Sequence, residues 1–213
     1  MRNFYFSNMK RIIIPIFGYL YFSHIVSGQF IKVMVQPQSM LQIQGETNVN
    51  SFQCFCAPPH SLVAFNAESS SETQKINFKK AELTVLTKSL DCRHKIMNRD
   101  MYQTLKAEHY PTITLSISQV LIPIQNINAR WKLEGPVTTE AYLTLAGMKR
   151  KINLLVTITQ PFSNVYRFTA KKSLLLTDFG LTPPTVLMGM VKVKNEIILD
   201  IDLYISAYSS PTS

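Results

Sequence analysis

The sequence lacks the motifs of the common enzyme classes. It contains no Gly-x-Ser-x-Gly nucleophile elbow, no glycine-rich phosphate-binding loop and no His-Glu-x-x-His zinc motif. Asp178-Phe179-Gly180 matches the magnesium-binding tripeptide of protein kinases, but the other kinase motifs are missing. Asp200 and Asp202 alternate with apolar residues along one predicted strand, which places them on its solvated face rather than across a catalytic cleft. The sequence therefore predicts a protein that is not an enzyme and that needs no cofactor.

Charged residues are also scarce, at 16% of the chain, whereas hydrophobic residues make up 46%. This balance excludes a disordered chain. Basic residues exceed acidic ones and give a net charge of +9, but they fall in short groups at Lys79-Lys80, 149–151 and Lys171-Lys172. Nucleic-acid binding would require these groups to cluster with exposed aromatic residues. We therefore predict no nucleic-acid partner, and interpret the groups as solvated strand edges that could face an anionic membrane surface.

The chain has only three cysteines. Cys54 and Cys56 lie on the same face of a predicted strand and cannot readily pair with each other, so Cys92 is the expected partner for one of them. Metal binding by Cys54, Cys56 and His94 is the alternative, but Cys-x-Cys is a weak ligand signature and no fourth ligand is evident. We predict one disulfide, one remaining thiol and no metal.

Residues 1–28 have the pattern of a secretory signal peptide. Arg2, Lys10 and Arg11 form a basic start, a largely apolar run follows, and small residues precede Gln29. A retained membrane anchor is the alternative, but Pro15 and a run shorter than the ~20 residues needed to span a bilayer argue against it. The prediction is a cleaved signal followed by one domain at 29–213, located in the periplasm or secreted.

The rest of the chain has the alternating pattern of β-strands. In the clearest case, Thr112, Thr114 and Ser116 alternate with Ile113 and Leu115. One short amphipathic helix is expected near 97–108, ended by a proline. Residues 57–73 are expected to form a loop or a ragged edge because they contain two prolines and a run of three serines. The pattern predicts an antiparallel β-barrel of about eight strands.

Periodicity alone does not tell a hollow barrel from a filled one. Small barrels are commonly filled by side chains. The residues by themselves therefore favour a solidly packed barrel without a ligand, which would suit a structural or accessory protein of the cell envelope.

Motifs spread along the chain resemble the YceI-like family of exported, lipocalin-like barrels that bind polyisoprenoid lipids. The most specific is Tyr-Pro-Thr-Ile at 110–113, which follows the helix. The others, in the family's order, are 45–54, 89–101, 143–149 and 177–189. The resemblance covers nearly all of the chain after the predicted signal.

This resemblance implies an apolar barrel interior that holds a long isoprenoid tail, such as that of a quinone or a polyprenyl lipid. It favours the hollow barrel and a protein that sequesters or carries the lipid. The residues expected to form the ligand-binding wall are Leu83, Val85, Ile113, Leu115, Ile117, Leu143, Leu145, Leu154, Val156, Phe168, Leu199, Ile201 and Leu203.

The resemblance also brings Cys54 and Cys92 together, one in an early strand and one just before the helix. It implies a disulfide between them that holds the helix across the barrel entrance, with Cys56 as the remaining thiol. The chain departs from the family pattern at Arg93-His94, where a glycine is usual, and in the irregular segment 57–72. Both departures concern the expected mouth of the barrel and therefore the head-group preference.

Overall fold

The computed structural model describes residues 29–70, 74–122, 135–186 and 190–207, so the predicted signal segment lies outside the described residues. The strands are β1 Gln29–Val35, β2 Met40–Thr47, β3 Ser51–Cys56, β4 Leu62–Ser70, β5 Lys75–Leu86, β6 Thr112–Leu121, β7 Gly135–Leu145, β8 Met148–Phe162, β9 Val165–Leu175, β10 Thr185–Val186 and β11 Val191–Ala207. Helix α1 spans Lys95–Thr104, and short 3-10 turns lie at Thr87–Ser89 and Leu176–Phe179.

Eight of these strands close into a barrel. The order around the ring is β1-β4-β5-β6-β7-β8-β9-β11, and β11 then pairs with β1. Each pairing is antiparallel, as in β7 with β8 or β9 with β11. The alternation in the sequence produces this result because successive side chains of a strand point to opposite faces. The predicted antiparallel barrel with a short helix is confirmed.

Along one edge, strand β11 pairs with two different strands, one after the other. Its first part pairs with β2 and its last residues pair with β1. The corner between β1 and β2 is fixed by the buried Ser39, whose hydroxyl accepts a hydrogen bond from the Tyr204 backbone N–H at 2.9 Å and donates one to the Tyr204 carbonyl at 3.2 Å. β1 and β2 thus form one bent strand, with β4 beside β1 and β3 beside β2.

The prediction of a loop or a ragged edge at 57–73 is wrong for most of its length. β4 occupies Leu62–Ser70 and pairs with β1 on one side and with β5 on the other. The two prolines, Pro58 and Pro59, fall in the connection before the strand, so they do not interrupt its ladder. The prolines and the serines at 69–71 indicated a loop, although Val63 and Phe65 alternate on the inward face.

Helix α1 begins two residues before the predicted start and ends four residues before the predicted end. The backbone of Lys106 adopts a positive φ of 53°, which stops the helix ahead of Pro111. Just after the helix, Leu105 is buried, and Met101 on the helix packs against the same core. The Tyr102 hydroxyl donates a hydrogen bond to the Leu90 carbonyl at 2.8 Å, which ties the helix to the segment before it.

The kinase-like tripeptide forms part of a turn. Phe179 is buried in the core, and Gly180 ends the 3-10 turn with a φ of 63°. The backbone N–H of Gly180 donates to the Thr177 carbonyl at 3.0 Å, and that of Leu181 donates to the Leu176 carbonyl at 3.1 Å. The need for a left-handed residue at this turn explains the glycine.

Candidate functional site

A cavity of about 400 Å³ occupies the half of the barrel that lies away from helix α1. Its walls come from the inward faces of the barrel strands. The lining residues are Val33, Val35, Val63, Phe65, Ile76, Phe78, Ala81, Glu82, Leu83, Leu115, Ile117, Val120, Val137, Thr139, Leu154, Val156, Ile158, Tyr166, Phe168, Ala170, Ile201, Leu203 and Ile205.

The lining is almost wholly apolar. Glu82, Thr139 and Tyr166 are the lining residues with polar side chains. Glu82 is exposed and its carboxylate accepts a hydrogen bond from the Ser116 hydroxyl at 3.0 Å, on the outer side of the sheet. The cavity can therefore bury an apolar group, but its walls offer little to polarise or attack a substrate.

The predicted wall residues fall into two groups according to their position along the barrel axis. Those that line the cavity are Leu83, Leu115, Ile117, Leu154, Val156, Phe168, Ile201 and Leu203. Those that lie outside the lining are Val85, Ile113, Leu143, Leu145 and Leu199, which pack in or against the hydrophobic core nearer the helix. All thirteen belong to inward faces, but the cavity reaches only the first group.

The end of the barrel next to α1 is filled. Leu90, Leu105, Phe179 and Leu181 are each at most 5% exposed and belong to the same core cluster as Leu143. Leu90 directly follows the first 3-10 turn and Leu105 directly follows the helix, whereas Phe179 ends the second 3-10 turn and Leu181 lies just after it. None of the four comes from a barrel strand. They fill the interior that the alternation pattern alone would leave open.

Several lining residues were missed from the sequence. Val137, Ile158 and Ile205 continue the same alternation as predicted residues on their strands, so extending each pattern would have found them. Val63 and Phe65 were missed because β4 was interpreted as a loop.

Cys54 and Cys92 are joined by a disulfide, and Cys56 is a buried free thiol. The Cys56 sulfur lies 3.0 Å from the Ser89 hydroxyl. The bridge lies at the filled end of the barrel, and no described residue of α1 lines the cavity. The interpretation that the bridge holds the helix across the barrel entrance is therefore wrong, because the helix covers the packed end.

Asp91 organises the segment between the disulfide and the helix. Its carboxylate accepts hydrogen bonds from the Asn98 side-chain amide at 2.7 Å and from the Arg93 backbone N–H at 2.8 Å. Asn98 in turn accepts a hydrogen bond from the Cys92 backbone N–H at 2.7 Å. The Asn98 amide, followed by the Arg93 N–H, holds the pKa of Asp91 below its usual value.

The carboxylates on the outer face of β11 are paired with bases of the neighbouring strand. Asp202 accepts two hydrogen bonds from the Arg167 guanidinium, each at 2.8 Å, and Asp200 lies 3.0 Å from the Lys171 ammonium. The hydrogen bond from Arg167 to Asp202 raises the pKa of the arginine. These acids are solvated cross-strand partners, as their alternation predicts.

The described ranges contain no group of three or more His, Cys, Asp or Glu side chains arranged to hold a metal ion. His60 uses its Nδ1 in a 2.6 Å hydrogen-bond contact with the Val35 carbonyl. Across the part of the chain that the structure describes, no helix has both the length and the apolar character needed to cross a membrane.

Three solved structures have a similar fold. BcnA from Burkholderia cenocepacia is 15% identical, with a TM-score of 0.59 over 80% of this chain and 98% of that one. A polyisoprenoid-binding domain from Saccharophagus degradans is 12% identical, with a TM-score of 0.56 over 84% and 100%. The YceI protein of Campylobacter jejuni is 15% identical, with a TM-score of 0.50 over 99% and 100%.

No curated protein matches this chain. The family model for the YceI-like domain matches residues 26–205, which includes every strand of the barrel except the last two residues of β11. With the ring of eight strands, the helix at one end and the apolar cavity at the other, that match establishes the relationship: the chain belongs to the YceI-like family.

Proposed function

We propose that this protein binds the tail of a long isoprenoid lipid, of the quinone or polyprenyl type, and sequesters or carries it outside the cytoplasm. The observation that carries the proposal is the apolar cavity of about 400 Å³ inside the barrel. A solidly packed structural barrel would have no such space.

The size of the cavity suits part of a tail. Its volume falls within the ~300–1,000 Å³ of ordinary ligand sites, and it exceeds the ~150 Å³ of an engineered apolar cavity that binds benzene. Each buried methylene contributes ~0.8 kcal/mol. A tail that buries about ten such groups would gain about 8 kcal/mol, from which the entropic cost of ordering the tail is subtracted.

The chemistry of the lining supports a binding role rather than catalysis. Among its polar residues, Glu82 is turned to the outer face and Thr139 is a single hydroxyl side chain in an apolar wall. General acid–base or nucleophilic catalysis requires a positioned pair of groups within hydrogen-bond reach. The wall residues act by excluding water from the tail.

The family and the signal-like N-terminus support the remaining parts of the proposal. The Saccharophagus degradans neighbour is described as a polyisoprenoid-binding domain, and this chain belongs to the YceI-like family. Residues 1–28 have the signal-peptide pattern, and a disulfide such as Cys54–Cys92 forms and persists in an oxidising compartment. Both features support the proposed location in the periplasm or outside the cell.

The test compares two tryptophan substitutions on neighbouring residues of β8. Val156→Trp puts an indole into the cavity, whereas Leu155→Trp puts the same group on the exposed outer face. Binding of a polyprenol with a fluorescent head group is measured by titration. We expect Val156→Trp to weaken binding by about tenfold or more, and Leu155→Trp to bind as the unchanged protein does.

Thermal unfolding of both variants verifies that the barrel is intact. Equal binding by the two folded variants would reject the cavity as the lipid site. Organic extraction and mass spectrometry of protein purified from its native envelope provide the second readout, and recovery of no apolar lipid would count against the carrier role.

A further inference from the structure

The barrel wall has a break between β4 and β5. The two strands pair from Ser70 with Lys75 to Asn66 with Lys79, and the ladder then stops. Beyond this point, no described ladder pair joins residues 62–65 of β4 to residues 81–86 of β5. On its other side, β5 stays paired with β6. We call these two stretches the seam.

A bulge in β5 explains why the ladder stops. Between Asn77 and Ala81 the register against β6 shifts, and Lys80 adopts a positive φ of 65°. Ile76 and Phe78 line the interior before the bulge, and Ala81 and Leu83 line it afterwards, so the inward face changes from even to odd positions.

β4 contains no matching irregularity, and its inward residues are Val63 and Phe65. Continuing the same β4–β5 register past the bulge would set inward side chains against outward ones. A one-residue slip moves side chains to the opposite face of a sheet. The regular β4–β5 ladder therefore ends at Asn66 with Lys79.

The cavity reaches this break from the inside. Val63 and Phe65 line it on one side of the seam, and Ala81 and Leu83 line it on the other. Glu82 lies between these last two and is exposed on the outer face, yet it also belongs to the cavity lining. The cavity therefore comes into contact with an exposed, outward-facing residue at the seam.

A second break, between β8 and β9, differs in this respect. Its ladder ends at Thr157 with Thr169 on the side toward the helix. Its flanking inward residues Ile152, Leu154, Ala170 and Leu174 are at most 7% exposed and belong to the core. Leu154 and Ala170 also line the cavity, but all four side chains are packed in the core, whereas Val63, Phe65, Ala81 and Leu83 at the seam are only partly buried.

We propose that the seam is a lateral portal through which an apolar tail enters and leaves the barrel, with its head group left at the outer surface beside Lys80 and Glu82. This inference rests on the proposed lipid-binding function and adds the route. A tail that enters sideways does not have to pass its head group through the narrow barrel interior.

The test is to close the seam covalently. Ala64→Cys with Glu82→Cys places two thiols on the outer face across the seam, and a bismaleimide then links them. The matched control is Thr138→Cys with Leu155→Cys, which are opposed, exposed residues on the fully paired strands β7 and β8. Mass spectrometry verifies each link, and each pair is also capped with a monofunctional maleimide.

The readout is transfer of the fluorescent polyprenol from the protein to phosphatidylcholine vesicles. We expect the linked seam to slow transfer by about tenfold or more relative to its capped form, because opening of the route limits release. The linked control should transfer at the rate of its capped form. Equal rates for the linked and capped seam would overturn the portal, while failure of the unchanged protein to bind the probe would instead overturn the proposed function.

Discussion

The ring of Tyr110 lies directly over the backbone of Gly147, which links the two most characteristic sequence motifs of the chain. Tyr110 opens the segment that follows the helix, and Gly147 forms the turn between β7 and β8 with a φ of 77°. A Cβ atom at position 147 would collide with the tyrosine ring. Glycine is therefore required twice, for its backbone conformation and for the close approach.

Gly147→Ala should destabilise the protein by about 1–3 kcal/mol, since a left-handed conformation and a steric clash are both imposed on alanine. Gly135→Ala is the matched control because Gly135 also has a positive φ, of 100°, but nothing within 4 Å of the added Cβ. Urea unfolding measures both changes. An equal loss in the two variants would show that the Tyr110 contact adds nothing to the backbone effect.

Most of the elements could be predicted from the sequence because their inward faces are apolar and regular. The long alternation of Ile197, Leu199, Ile201, Leu203 and Ile205 is the inward face of β11 as observed. The sequence interpretation missed β4 because two prolines precede it and a run of serines ends it, and both are typical of turns. Pairing with β1 on one side and with β5 on the other stabilises its strand conformation.

Helix α1 is anchored by the disulfide and by the Asp91–Asn98 contact before it. Cys54→Ser and Cys92→Ser should each lower the melting temperature, and the double variant should be little worse, because all three lack the same bond. In the chain-entropy model a closed loop of this length is worth about 4 kcal/mol. Thermal unfolding under non-reducing conditions measures the loss.

The position of the bridge at the packed end adds a second expectation. The folded variants should bind the fluorescent polyprenol with the affinity of the unchanged protein, because the cavity lies in the other half of the barrel. A large loss of affinity in a folded variant would mean that the bridge shapes the lipid site after all. Peptide mapping without reduction verifies that Cys54, rather than Cys56, is joined to Cys92.

At the scale of the whole molecule, the sequence could predict which side chains point into the barrel, but not where along the barrel axis the cavity lies. One end of the interior is filled by side chains that do not belong to the barrel strands, so the other end stays open. These side chains are Leu90, Leu105, Phe179 and Leu181. Their approach is a property of tertiary packing and leaves no periodic signal. This is why Leu143 and Leu145 were predicted as lipid contacts and instead belong to the packed core.

Surface carboxylates should make stability depend on pH as a property of the whole molecule. Hydrogen bonds from Lys194, Asn98, Lys88 and Lys151 lower the pKa values of Glu46, Asp91, Glu108 and Glu140, respectively. A lowered folded-state pKa gives stability that is present above the unfolded value and is lost as pH falls through the folded value. The melting temperature should therefore decrease as the pH falls below the ordinary pKa values, which are 4.5 for glutamate and 3.8 for aspartate.

The basic partners give the opposite dependence at high pH. Hydrogen bonds from the lysines to Glu140 and Glu46 raise the pKa values of Lys151 and Lys194, so their contribution is lost as pH rises through those values. All of these groups are exposed, so added salt should flatten both arms of the profile. Calorimetry at a series of pH values, at low and at high salt, measures the melting temperature. A pH dependence that salt leaves unchanged would mean that groups other than these ion pairs cause it.

Ring closure by β11 has a consequence for how the chain folds. Val33 pairs with Ala207, so the barrel cannot close until the last described strand has been synthesised. Contacts between such distant residues give a high contact order, which slows folding. Until β11 arrives, the seven other ring strands leave their inward apolar side chains uncovered, which makes the incomplete chain prone to aggregation during that interval.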